Sequence, residues 1–243
     1  MFRHIGKSRT YIHNLKLASI LSFVAGVVNI TGVLSVKVLT TNVTGHFAFF
    51  SEDLSKRNFG VAFVYLLFIL SFLVGAFVSN FLIEIVSRVK PQISYAFPMA
   101  IEIIILTAVG LSGTHSVLST LSGHIIACLL LFAMGLQNSL VTKVSQSVVR
   151  TTHLTGLFTD LGIELSQLFF YRNNSEFKQL SKSIYLKLAI IGCFFFGCIA
   201  GGFVYRSFEL NTLVLAAAFL MIALFYDNLR FQFYNLRRKV QSR

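Results

Sequence analysis

The chain has 243 residues, 55% of them hydrophobic and only 12% charged, with a formal net charge of +12. Its mean hydropathy is +0.75. A water-soluble domain of this size needs more charge than this to cover its surface, so the composition excludes that class and predicts an integral membrane protein.

Six apolar segments follow one another along the chain, and a helix of about 20 residues is enough to cross the roughly 30 Å of hydrocarbon in a bilayer. The segments cover residues 15–36, 61–86, 95–112, 118–141, 184–205 and 210–227. We therefore predict one all-α membrane domain over residues 1–243 with six transmembrane helices. Residues 15–112 and 118–230 form two three-helix repeats, and an odd number of crossings per repeat inverts the second copy.

The excess of positive charge suggests nucleic acid as a partner, but its distribution argues against that. If the N-terminus is cytoplasmic, 17 of the 21 Lys and Arg residues fall in segments on the cytoplasmic side. This bias is typical of the positive-inside rule. It predicts a multi-pass protein with both termini in the cytoplasm and the lipid bilayer, rather than nucleic acid, as its surroundings.

A duplicated block follows the first and the fourth apolar segment. Residues 40–55 align with residues 151–166 at a constant offset of 111, with seven of the sixteen positions identical. Chance would give about one identity. Each block follows a Gly-x-x-Asn sequence, ending at Asn29 in the first copy and at Asn138 in the second. Duplication inside a membrane chain is a common way to build a central binding site.

Each block is too apolar for a hydrated loop, and its apolar residues have helical spacing. We predict a helix from each Thr-Gly pair, with Thr44 or Thr155 as its N-cap. Two placements stay open. The helix either rests amphipathically at the membrane interface, or it is a re-entrant half-helix that lines protein or water.

The N-termini of two such helices expose unpaired N–H groups that suit an anion or a polar group. Glycines allow close approach of a ligand to the backbone, while threonines, asparagines and an arginine supply donors. The predicted substrate-binding residues are Asn29, Thr41, Thr44, Gly45, Asn138, Arg150, Thr152, Thr155 and Gly156. The alternative is that the threonines only cap helices, the glycines only permit packing and the asparagines pair between the halves.

Charged residues inside apolar segments are functional candidates because lipid disfavours them. Glu102, Asp53 and Glu164 are the candidates for proton coupling. Glu102 could instead be permanently protonated or lie near the headgroups. Asp160 and Glu164 lie one helical turn apart, which without His or Cys is a weak metal signal. The sequence predicts no metal site, no cofactor and no enzyme, since nucleotide-binding and hydrolase motifs are absent.

Several of these motifs, taken in order, give the chain a family resemblance. Gly26-x-x-Asn29, Thr44-Gly45, the segment 133–138 (AMGLQN) and the segment 150–162 (RTTHLTGLFTDLG) resemble the YoaK family of bacterial inner-membrane proteins of unknown function. The resemblance implies six crossings and the bacterial plasma membrane, but no substrate. Members of that family often have an acidic residue where this chain has Asn29, and a His where it has Asn42.

The leading hypothesis is a small-solute transporter or exporter that alternates access around the two Thr-Gly blocks, for a polar or anionic solute. The alternative is a membrane scaffold or accessory subunit that recruits partners through its cytoplasmic middle loop and basic tail. Gly197-x-x-x-Gly201 is a small-residue face that suits either a homo-oligomer or a neighbouring helix of the same chain.

Overall fold

The computed structural model describes residues 10–112, 120–145, 148–170 and 175–225. All regular structure in these ranges is helical, which confirms the all-α prediction. The α-helices are α1 (Tyr11–Val36), α2 (Val43–Ser55), α3 (Phe59–Ser87), α4 (Ala96–Leu111), α5 (Thr120–Ser145), α6 (Leu154–Gln167) and α7 (Ser175–Phe208), followed by α8 over residues 212–225. Short 3-10 turns at Pro91–Ile93 and Glu209–Asn211 precede α4 and α8.

Four helical stretches of the described chain are long and apolar enough to cross a membrane. They are Tyr11–Val36, Phe59–Ser87, Gly123–Ser145 and Glu176–Phe225, the last of which contains both α7 and α8. The remaining apolar helix, α4, has 16 residues, a length of about 24 Å at 1.5 Å per residue. Six separate crossings therefore stay a prediction, and the predicted boundaries at Leu118 and Asp227 lie outside the described residues.

Helix α1 packs chiefly against α7, at a point where both backbones come close. A methyl group added to Gly26 would overlap the backbone carbonyl oxygen of Phe194, and one added to Gly197 would overlap that of Phe23. Only glycine fits at such a crossing, which is the usual role of small residues between membrane helices. The small-residue face of α7 therefore seats α1 of the same chain.

Helices α3 and α5 meet in the same way. A methyl group on Gly75 would overlap the carbonyl oxygen of Phe132, and one on Gly135 would overlap that of Phe72. The residues of this contact in α5 lie 109 positions after their counterparts in α1. Those of α7 lie 122 positions after their counterparts in α3. The two closest helix contacts of the fold are thus made by equivalent residues of the two halves.

The two block helices continue this correspondence. Helix α2 packs on α3, and α6 packs on α7. The main apolar core lies between α1, α4, α5, α7 and α8, with Leu21, Met99 and Met134 among its fully buried side chains. Large apolar side chains are exposed along the outer faces of α3 and α7, as expected for surfaces that face lipid.

Candidate functional site

The N-caps of the two block helices lie two residues earlier than predicted. The N-caps are Asn42 and His153, so the prediction that Thr44 or Thr155 would cap is wrong. The Asn42 Oδ1 accepts a hydrogen bond from the backbone N–H of Gly45 at 3.0 Å. Asparagine is among the best N-cap residues because its short side chain reaches that orphan N–H group. The hydroxyls of Thr44 and Thr155 are thereby left in exposed positions in the first turns.

A cavity of about 840 Å³ lies between the two blocks and is lined by both of them. From the first block it takes Thr41, Asn42, Val43, Thr44, Gly45 and Ala48, and from the second Arg150, Thr152, His153, Leu154, Thr155, Gly156 and Thr159. Phe72 of α3 and the pair Asn138 and Thr142 of α5 complete the lining. Two segments separated by 111 residues in the sequence therefore line one cavity.

A threonine of each block fixes the asparagine at the end of the preceding helix. The Thr41 hydroxyl donates to Asn29 Oδ1 at 3.0 Å, and the Thr152 hydroxyl donates to Asn138 Oδ1 at 2.7 Å. With its oxygen held in this way, an asparagine amide has its two N–H donors left for other partners. Asn138 lines the cavity, whereas Asn29 does not and only contacts the lining residue Thr41.

Eight of the nine predicted binding residues line the cavity, and Asn29 is the exception. Sequence reasoning missed Asn42 and His153, which stand at equivalent positions of the two blocks and could have been found from the constant offset. It also missed Thr142, which lies one turn after Asn138 and therefore shares its helix face.

The three candidates for proton coupling lie elsewhere. Glu102 of α4 is completely buried, and neither carboxyl oxygen has a hydrogen-bond partner in the described part of the chain. Asp53 of α2 is partly exposed and accepts a hydrogen bond from Asn58 at 3.2 Å. None of the three is among the residues that line the cavity.

Glu164 joins α6 to α7. Its Oε1 accepts hydrogen bonds from Lys187 Nζ and from the Ser183 hydroxyl, each at 2.7 Å. The side chains of Lys187 and Glu164 are only 14% and 17% exposed, so water screens this ion pair weakly. The ion pair of Glu164 with Lys187 therefore holds α6 against α7. No group of three or more potential metal ligands occurs among the described residues.

Comparisons with known proteins identify the family of the chain. A family model described as "Protein of unknown function (DUF1275)" matches residues 17–226. The chain belongs to this family. It is also 25% identical over 177 residues to a protein of Bacillus subtilis (strain 168) named UPF0700 transmembrane protein YoaK, which covers 72% of this chain and 77% of that protein. The resemblance to YoaK-like membrane proteins is thus confirmed, and this member of the family is a membrane protein. No solved structure matches the chain.

Proposed function

We propose that the protein carries a small polar or anionic solute across the bacterial inner membrane, with its site between two inverted three-helix repeats. The observation that carries this proposal is the cavity that both Thr-Gly blocks line. A cavity of this volume is in the range that accommodates small ligands. Repeats that face a shared central site are the arrangement in which many secondary transporters rock to expose the site alternately to each side.

The chemistry of the lining supports an acceptor-rich solute. Among the described residues that line the cavity, only Arg150 and His153 have charged or titratable side chains, and none is a carboxylate. The amide N–H groups of Asn138 and the first turns of α2 and α6 add further donors. Donors without competing acceptors favour a carboxylate, phosphate or similar group over a cation.

The equivalent contacts of the two halves support the inverted repeat. The glycine crossings of α1 with α7 and of α5 with α3 use residues at constant offsets, and each block binds its own preceding asparagine. Both termini in the cytoplasm and six crossings belong to the same proposal. Because each glycine crossing joins helices of opposite halves, the units that rock in this proposal are α1 with α7 and α3 with α5, and each crossing stays within one unit.

Proton coupling through Glu102 can be tested by removing only its charge. If Glu102 titrates during transport, we expect Glu102→Gln to insert and fold normally but to lose the pH dependence of solute uptake into proteoliposomes. A buried carboxyl that stays protonated throughout is replaced by Gln with no change in that pH profile, and this outcome would end the coupling proposal.

Alternating access can be tested without knowing the solute. Cys128, Cys193 and Cys198 are first replaced by alanine, and a single cysteine is then introduced as Thr44→Cys or Thr155→Cys. We expect both cysteines to react with a membrane-impermeant thiosulfonate added from either side of sealed vesicles. A negatively charged reagent is expected to react faster than a positively charged one of similar size, because the lining is rich in donors.

Thr212→Cys is the matched control, because Thr212 is buried and does not line the cavity, so its cysteine is expected to stay unmodified from both sides. The scaffold alternative predicts a different pattern: each block cysteine would react from one side only, whichever conditions are used. That result would replace the transporter by a membrane scaffold.

A further inference from the structure

The side chains that begin the two block helices fold back over the same place in both copies. A methyl group added to Gly45 would lie 2.8 Å from Asn42 Nδ2, and one added to Gly156 would lie 2.6 Å from His153 Nδ1. Asn42 and His153 are equivalent at the offset of 111, and both line the cavity between the blocks. The imidazole of His153 therefore lies over the first turn of α6, at the proposed solute site.

The two side chains differ in the hydrogen bonds that they make. Asn42 Oδ1 accepts the hydrogen bond of the Gly45 N–H, whereas the side chain of His153 does not cap α6. The imidazole also makes no hydrogen bond to another described residue. The unpaired N–H groups in the first turn of α6 are thus left for another acceptor. Capping therefore does not explain the histidine, since asparagine is the better cap and this side chain does not cap at all.

His153 is accessible to a ligand and has a cationic neighbour. It is exposed, and so is Arg150, three positions earlier in the same block. Both line the cavity, whereas their counterparts in the first block, Leu39 and Asn42, have side chains that cannot carry a charge. The positive side-chain charge of the described lining is therefore supplied by the second block, and its amount depends on whether His153 is protonated.

The helices around His153 bring no other charge into the described lining. Those parts of α2, α3 and α5 that line the cavity are uncharged. The charged residues of α5 and α6 lie outside it: they are Lys143, which pairs with Glu84, Glu164, which pairs with Lys187 of α7, and the exposed Asp160. The acidic residues of α2, Glu52 and Asp53, are near the other end of that helix. A charge on His153 is therefore balanced in the cavity by a bound solute.

A proton on the imidazole and an anion beside it favour each other. Histidine is the side chain that ordinarily changes its charge between pH 5 and pH 8, and in its charged form both ring nitrogens donate. With Arg150 alone charged, a singly charged anion neutralises the site. With His153 charged as well, neutralisation takes a doubly charged anion. Because uncompensated charge is unfavourable inside a membrane protein, a doubly charged solute is best bound together with a proton.

We propose that the cavity between the blocks binds a small doubly charged anion, as dicarboxylates and phosphate monoesters are, and takes up one proton at His153 as it does so. The negative charge of the solute lies between the guanidinium of Arg150 and the protonated imidazole. This inference rests on the proposed function and adds the class of solute and the group that carries the proton. None of the carboxylates Glu102, Asp53 and Glu164 lines the cavity, whereas His153 does.

Sulfate and methanesulfonate are matched probes, because they have similar shapes, differ by one charge and do not titrate between pH 6 and pH 8. The cysteine-free protein with Thr155→Cys is placed in nanodiscs at constant ionic strength, and its thiol is modified with an uncharged maleimide. The ratio of the rates with and without an anion gives the affinity and cancels the pH dependence of the thiol. We expect the affinity for sulfate to rise about 10-fold or more from pH 8 to pH 6, since one linked proton changes it by up to tenfold per pH unit. Methanesulfonate is expected to change less.

Variants in the same background assign the proton to His153. His153→Asn introduces the residue of the first block, and His153→Gln is a second side chain that cannot titrate. We expect both to retain protection by sulfate and to lose its pH dependence. Arg150→Leu, again the residue of the first block, is expected to lose most of the protection at every pH. His124→Asn changes a histidine that does not line this cavity and is expected to behave like the parent protein.

The outcomes separate this inference from the proposed function. Protection by sulfate that is equal at pH 6 and pH 8, or a pH dependence that survives in both His153 variants, would overturn the inference and leave the anion site in place. Equal pH dependence for sulfate and methanesulfonate would overturn the preference for a doubly charged solute. No protection by either anion at any pH would overturn this inference together with the anion site of the proposed function.

Discussion

The two block helices, α2 and α6, have the same place in the two halves of the molecule and differ in what surrounds them. Each begins at the central cavity and packs on the next long helix of its own half. Beside α6 a cavity of about 360 Å³ is lined mostly by polar side chains of α6 and α7, and Lys187 forms an ion pair with Glu164. Beside α2 a cavity of about 510 Å³ is lined in part by the rings of Tyr65, Phe68 and His124, and Tyr65 is the counterpart of Lys187.

The cavity between the blocks is also asymmetric in charge. Arg150 and His153 of the second block correspond to Leu39 and Asn42 of the first. The comparison teaches that the two copies share the backbone contacts where only glycine fits and the identical lining pairs Thr41/Thr152, Thr44/Thr155 and Gly45/Gly156, and differ in the charged or titratable residues beside them.

The largest expected effect tests the equivalence of the helix crossings. We expect Gly75→Ala and Gly197→Ala each to destabilise the protein by about 1–3 kcal/mol or more, because the added methyl group meets a backbone carbonyl that cannot move aside. The measurement is thermal unfolding in detergent. Gly60→Ala and Gly192→Ala are the matched controls, since no other part of the described chain comes within 4 Å of the added methyl group. Equal stability of all four variants would contradict the close crossings.

The next largest effect on stability is expected from the ion pair of Lys187 with Glu164, which distinguishes α6 from α2. Lys187→Gln leaves the mostly buried Glu164 without its charged partner, and we expect a loss of about 1–3 kcal/mol, less than for a completely buried pair because both side chains keep some contact with solvent. The double variant Glu164→Gln with Lys187→Gln should recover much of this loss. If the double variant is as unstable as the sum of the two single variants, the pair does not act as a unit.

A smaller effect on solute binding is expected from the two threonines, Thr41 and Thr152, whose hydroxyls donate hydrogen bonds to asparagines. Thr152→Val removes the hydroxyl that orients Asn138, which lines the cavity, while Thr41→Val frees Asn29, which does not. We expect Thr152→Val to weaken solute binding more, by about 0.5–1.5 kcal/mol for the lost hydrogen bond. The readout is competition for the reaction of the Thr155→Cys thiol by added small carboxylates. Equal weakening by both valines would mean that the halves bind the solute symmetrically.

The smallest effect is the pH dependence contributed by His46, which the second half lacks. Burial lowers the pKa of His46 in the folded protein below the unfolded value of about 6.5. Above that pH both states are neutral and the contribution to stability is constant. As pH falls below it the unfolded state takes up the proton first, so stability falls, by at most about 1.4 kcal/mol per pH unit. We expect His46→Leu to show a shallower loss of thermal stability between pH 7 and pH 5, and parallel profiles would contradict the shift.

The sequence was enough to predict an all-α membrane protein, a helix in each block and eight of the residues that line the cavity between the blocks. Apolar length and the repeated Thr-Gly pairs are local signals, and the constant offset shows which residues are equivalent. The N-caps were mispredicted because Asn42 and Thr44 are both good capping residues and only the backbone geometry decides between them. The cavity beside α2 was not predicted, because two of the residues that line it, His46 and His124, are distant in the sequence and each alone is typical of packing.

The glycine crossings have a consequence for how the chain is made. The closest contact of α1 is with α7 and that of α3 is with α5. Each crossing therefore joins a helix of the first half to a helix of the second half, which is synthesised later. During translation α1 and α3 therefore enter the membrane before the helices that cover their glycine surfaces have been made. We expect the first half alone to be inserted but to be open to intramembrane quality control until the second half arrives. Folding of this protein in the membrane then depends on assembly between the two halves, and one repeat is not completed before the next.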